Sequence, residues 1–166
     1  MKLRTAAFVV LILGGASVHA AVTGKAIDGV RVSAVAEAPR VISGDAVVVK
    51  GSLTNERSTK IALGTTDPLG GFRIAIVDAN GHPVRMNASG RDLIKLVHRS
   101  KQELAPGEKI EQSLWLSSLY DLKKPGKYTI TMTHDVDSTS GMGIETVKSN
   151  TVTVWVVRKG KGTARK

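Results

Sequence analysis

Apolar residues recur at every second position along most of this chain, and no long segment repeats them at helical spacing. Val30 and Val32 open a strand that ends near Glu37-Ala38-Pro39. The next run sets Val47, Val49 and Leu53 on one face and Lys50, Ser52 and Thr54 on the other. Ile61 to Leu63 is a brief piece before the turn-rich Gly64-Thr65-Thr66-Asp67-Pro68-Leu69-Gly70-Gly71. Phe72, Ile74 and Ile76 then alternate, and Asn80-Gly81 predicts a hairpin with a return strand over 83–86. Positions 91–97 fit either a helical turn or a strand. Leu104-Ala105-Pro106-Gly107-Glu108 is a turn before a strand that faces Ile110, Leu114 and Leu116 inward. A crossover with room for a helical turn follows over 117–124. Pro125-Gly126 introduces a strand with Tyr128, Ile130 and Met132 inward. A polar loop over 135–143 leads to the last strand, where Val152, Val154 and Val156 alternate with Thr151, Thr153 and Trp155. Short strands at near-regular spacing predict an all-β fold, an immunoglobulin-like antiparallel β-sandwich of seven to eight strands. Helices are too few for a parallel sheet, and no internal repeat is visible.

The first 20 residues change the picture of where this fold works. Lys2 and Arg4 precede an apolar run over 6–13, Gly14-Gly15 breaks it, and Val18-His19-Ala20 offers small residues to a signal peptidase. Cleavage between Ala20 and Ala21 is expected, giving a periplasmic or secreted protein. An uncleaved anchor running to Val22 is the alternative, but spanning takes about 20 apolar residues. The predicted organisation is a signal peptide over 1–20, an N-terminal segment over 21–29, the sandwich over 30–157 and a basic disordered tail over 158–166. The mature part suits one domain with its own core. The chain has no cysteine, which excludes disulfides, thiolate zinc sites, thiol catalysis and a covalent lipoprotein anchor.

The formal net charge is +10, yet it is unevenly spread. From Ala21 to Val157 there are 17 basic and 14 acidic residues. The tail adds Arg158, Lys159, Lys161, Arg165 and Lys166 without a counter-charge. These five are candidate contacts to an anionic envelope polymer, set against a solvated terminus that aids solubility. Nucleic acid is not the expected partner, because aromatics are 4% of the chain and no stacking platform is visible.

Candidate chemistry is sparse. His82, His98 and His134 lie in separate segments, unlike the closely spaced ligands of a zinc site. His134 with Asp135 and Asp137 makes a His-x2-Asp cluster of metal-ligand type, but a solvated loop at a strand end is the expected reading. The run from Asp135 to Gly141 lacks the glycine and glutamate of a calcium loop. There is no Gly-x-Ser-x-Gly elbow and no phosphate-binding Gly-Lys-Ser/Thr loop. The expectation is a non-enzyme without cofactor or metal. Alternation turns Trp115 and Trp155 away from the core, as contacts to a protein or a polysaccharide or as side chains covered by a loop. Trp155, among threonines, is expected to be the more open, with the Tyr120 crossover covering Trp115. Asp67, Pro68 and Leu69 are further candidate contacts, since binding residues gather on loops held by a rigid scaffold.

Three stretches carry a resemblance: Leu104-Ala105-Pro106-Gly107-Glu108, the run Leu114-Trp115-Leu116-Ser117-Ser118-Leu119-Tyr120-Asp121-Leu122, and Lys124-Pro125-Gly126-Lys127-Tyr128-Thr129-Ile130. Together they are similar to the immunoglobulin-like β-domain that precedes the catalytic domain of deuterolysin-type peptidyl-Lys metalloendopeptidases. The Leu-x-Pro-Gly-Glu and Pro-Gly-x-Tyr-x-Ile pieces also resemble BsuPI-type proteinase inhibitors. The resemblance implies a small sandwich, with Gly126 and Tyr128 placed as in a tyrosine corner. No His-Glu-x-x-His is present, so the protease activity is not carried over. The expectation is a monomeric, exported, non-catalytic binding module for a secreted or periplasmic protein, with protease inhibition as its narrower form. The alternative is an envelope-associated protein held to anionic surface polymer by its basic tail.

Overall fold

A computed structural model describes residues 23–63, 69–96, 102–139 and 143–160. Within them the chain forms ten strands: β1 (Val30–Ala36), β2 (Arg40–Ile42), β3 (Val48–Asn55), β4 (Ile61–Leu63), β5 (Arg73–Val77), β6 (Gln102–Leu104), β7 (Lys109–Trp115), β8 (Gly126–Asp137), β9 (Ile144–Lys148) and β10 (Val152–Val157). Two short helices, α1 (Ala88–Leu93) and α2 (Leu116–Leu119), sit on crossovers. The fold is an all-β sandwich, as the alternation predicts. One sheet runs β1-β3-β7 and the other β2-β10-β8-β5, with β9 also on β8; β4 and β6 make a separate two-stranded ribbon. All described pairs are antiparallel except β2 on β10.

The sheets pack through the faces the alternation marks. Val30, Val32, Val49 and Leu53 from one sheet, and Ile76, Ile130, Met132, Val154 and Val156 from the other, are almost wholly buried. Each such side chain contributes about 1.5–3 kcal/mol of burial. Contact is closest at Gly51 in β3, where a Cβ would stand 2.5 Å from the Met132 terminal methyl. Glycine there lets the Met132 and Phe72 side chains fill the gap.

Several details depart from the alternation reading. The predicted polar loop over 135–143 gives its first three residues to β8, which runs to Asp137, and the unpredicted β9 returns along β8, pairing Asp135 with Thr146 and Thr133 with Lys148. The edge β9 shares with β10 gains one residue between Lys148↔Thr133 and Val152↔Ile130, a bulge at 149–151. Ser149 Oγ accepts the Met132 N–H at 3.0 Å there, and the Asn150 amide reaches across to Ala34 of β1. The return strand over 83–86 reduces to isolated bridges, Val77↔Pro83 and Met86↔Tyr120. Pro83 has no N–H for a ladder. The ambiguous segment is helical at its start, with the Asn87 side chain capping α1 by accepting the Gly90 N–H at 2.8 Å.

Candidate functional site

The outer face of the larger sheet carries the clearest concentration of unsatisfied character. Trp155 on β10 pairs in register with Arg40 of β2 on one side and Lys127 of β8 on the other. Register partners share a face, so the indole stands between two cations on neighbouring strands. Two residues on, Val157 pairs with Ile42, also outward. Trp155, Ile42 and Val157 are 47%, 42% and 39% exposed, and together they form an apolar strip at the end of the sheet.

More positive charge gathers at this corner. Ser43 donates its N–H to the Val157 carbonyl at 2.7 Å and its hydroxyl to the Lys123 carbonyl at 2.5 Å. Those bonds hold the start of the tail, Arg158 and Lys159, against the turn carrying Lys123 and Lys124. Arg40, Lys123, Lys124, Lys127, Arg158 and Lys159 are all exposed. Among the described residues none of the six is in an ion pair. Asp45 shares a shallow cleft with Lys123 without closing on it. Beyond the corner the face turns neutral, with Thr153 beside Thr129 and then Thr131 beside Ala75; farther on, Arg73 pairs with Asp135.

The corner is rigid for an identifiable reason. The Tyr128 hydroxyl donates to the Lys124 carbonyl at 2.7 Å, the tie expected of a tyrosine corner, and burial raises its phenol pKa. Leu122 and Tyr128 point inward beneath it. The Leu104–Glu108 motif proves to be a turn: Glu108 Oε2 accepts the Ala105 N–H at 2.8 Å, and Gly107, at φ +76°, donates its N–H to the Asn55 carbonyl.

The remaining candidates fare differently. Trp115 is outward and 65% exposed, more open than Trp155, which reverses the expected ranking. The Tyr120 crossover does not cover it, because Tyr120 turns inward and donates its hydroxyl to the Ile74 carbonyl. Trp115 sits opposite Val48 in register, on the other sheet's outer face and far from the Trp155 row in topology. Leu69 is 3% exposed and belongs to the core, so it is withdrawn as a contact; a large aliphatic side chain beside Phe72 gains more from burial than from display. Asp67 and Pro68 lie outside the described residues, as do Ala20 and Ala21 at the cleavage position, His98, and Lys161, Arg165 and Lys166 of the tail. His134 is buried, edge-on to Phe72 at 5.3 Å, with Nδ1 2.7 Å from the Asp135 carbonyl. Asp135 points to the opposite face, so the His-x2-Asp cluster does not converge. No group of three or more metal-type ligands is present among the described residues.

A second cluster was missed by sequence reasoning. Asp28, at φ +48°, accepts the Thr139 N–H at 2.7 Å and the Thr139 hydroxyl at 2.6 Å, and pairs with Arg57 Nη2 at 2.8 Å. The Thr139 bonds, then Arg57, hold its carboxyl below the usual carboxylate range. Arg57 also donates to the Asp28 and Asp137 carbonyls, clamping the N-terminal segment to the β8–β9 hairpin. The Asp28 carboxylate, the Thr139 hydroxyl and Arg57 Nε and Nη2 are thus engaged within the fold.

No family model matches this chain, and no curated protein matches it. Neither the deuterolysin-type nor the BsuPI-type resemblance therefore gains support. Among solved structures, the chain is similar to the C-terminal domain of wzt, with a TM-score of 0.49, 10% identity, and 82% of this chain and 77% of that chain covered. It is also similar to Northeast Structural Genomics Consortium target SoR45, with a TM-score of 0.46, 15% identity, and 85% and 95% covered. A third is a β-glucosidase from Listeria innocua in complex with glucose, with a TM-score of 0.36, 11% identity, and 77% of this chain but 17% of that chain covered.

Proposed function

We propose that this chain is an exported, non-catalytic binding module held at an anionic component of the cell envelope by its basic corner and the tail that leaves it. The carrying observation is the convergence of Arg40, Lys123, Lys124, Lys127, Arg158 and Lys159 without a partner carboxylate among the described residues. Unpaired like charges repel, and an external anion removes that cost while steering association from a distance. Lys161, Arg165 and Lys166 extend the same charge along the tail. Co-sedimentation with isolated envelopes tests this. Binding should fall steeply as salt rises toward about 0.5 M, and weaken on deletion of 158–166 and again on adding Arg40→Glu. Binding indifferent to salt and to both changes refutes it.

A second reading, a protein partner outside the cytoplasm, draws support from Trp115, which is 65% exposed beside Val48 on the opposite sheet. Protease inhibition of the BsuPI type is its narrower form and rests on the turn motifs. Capture of a secreted protein that is lost in Trp115→Ser but kept in Trp155→Ser would favour this reading. Equal capture by both variants would oppose it.

A further inference from the structure

Resting on the envelope reading, we infer that the anionic component is a lipid bilayer surface, docked through the strip of Trp155, Ile42 and Val157. Charge alone would serve any polyanion, but these three side chains do not suit a charged polymer. They share one face at one end of one sheet, are 47%, 42% and 39% exposed, and are bordered in register by Arg40 and Lys127. A sugar chain would use the indole and gain little from two aliphatic groups beside it. A bilayer interface takes both: indole rings settle at headgroup level, and aliphatic side chains enter the boundary just below. Arg40 and Lys127 flank the indole, so their stems can lie along the apolar boundary while their charged ends meet phosphates. Lys123, Lys124, Arg158 and Lys159 add charge at the same end.

The two signals are complementary. A small apolar patch or a few cations alone gives weak, reversible membrane association, whereas together they hold. Each cation near an anionic leaflet strengthens binding about fivefold. Among the described residues no helix is long and apolar enough to cross a membrane. Nucleic acid is disfavoured because the face offers a single indole and then a run of threonines.

The test is co-sedimentation of the purified protein with phosphatidylcholine vesicles and with vesicles containing about 30% phosphatidylglycerol, with soluble polygalacturonate as competitor. The expected result is binding only to the anionic vesicles. Trp155→Ser and Ile42→Ser should each weaken it at least about fivefold, and Lys127→Glu by more, with each variant still folded at the assay temperature by its thermal midpoint. Ile42→Ser keeps the test open if Trp155→Ser folds poorly. Binding undiminished by both apolar substitutions overturns the lipid inference. Binding to polygalacturonate and to envelopes but not to anionic vesicles also overturns it, while leaving the envelope reading intact. Failure to bind envelopes, polygalacturonate or vesicles overturns both.

Discussion

Replacing Asn150 tests how the two sheets are joined. The Asn150 amide sits at the bulge between β9 and β10 and treats Ala34 of β1 as a strand neighbour. Its Nδ2 donates to the Ala34 carbonyl at 2.8 Å, and its Oδ1 accepts the Ala34 N–H at 2.9 Å. Ala34 is 1% exposed with the Asn150 amide in place, so Asn150→Ala takes the partner from both of its backbone groups at a covered site. A buried, unsatisfied donor or acceptor costs about 1–3 kcal/mol, so the pair predicts a loss of about 2–4 kcal/mol after partial relaxation. Urea unfolding measures it, as a lower midpoint with an unchanged slope. Asn150→Asp separates hydrogen bonding from packing. At pH 7 its carboxylate sets an acceptor against the Ala34 carbonyl and should cost at least as much as alanine. Below about pH 4 the protonated acid donates again, and the gap to the parent measured at the same pH should narrow. A loss under about 0.5 kcal/mol for Asn150→Ala, or no pH response in Asn150→Asp, would refute this account of the joint.

Tyr128→Phe removes the bond to the Lys124 carbonyl and should lower stability by about 1 kcal/mol in the same titration. Burial pushes the Tyr120 phenol pKa up to about 12, so the unfolded chain releases that proton first as pH rises from 10. Stability should therefore be intact below pH 10 and fall by roughly 1–2 kcal/mol toward pH 12, discounted for solvent screening, and Tyr120→Phe should abolish that component of the alkaline loss. Trp115→Ser should cost less stability than Trp155→Ser, since it is the more exposed; a loss near the roughly 3–5 kcal/mol of a packed tryptophan would show that the indole is covered.

The core was legible because valine, isoleucine and leucine alternate cleanly in β1, β3, β8 and β10. Both tryptophans face outward by the same arithmetic. The elements missed have weak patterns for physical reasons. β9 buries only Val147 fully among polar residues, so it reads as loop. β2 and β6 are three residues long, too short for a period to register. Leu69 looked like a loop side chain because its glycine neighbours mark turns, and turn chemistry says nothing of which way a neighbouring leucine packs. The corner was invisible for a deeper reason. Arg40, Lys127 and Trp155 are distant in sequence and meet only through strand register, which includes the one parallel pair described. Local pattern signalled the basic tail, while the folded cations beside it required topology.

The most direct test of the envelope-docking account uses the chain's two tryptophans. In Trp115→Phe, Trp155 is the only indole, and its emission reports the corner alone. On adding anionic vesicles the emission should shift to the blue as the ring enters the headgroup boundary, and about 0.5 M salt added beforehand should suppress the shift. An emission spectrum unchanged by vesicles that the protein demonstrably binds would contradict docking through this face.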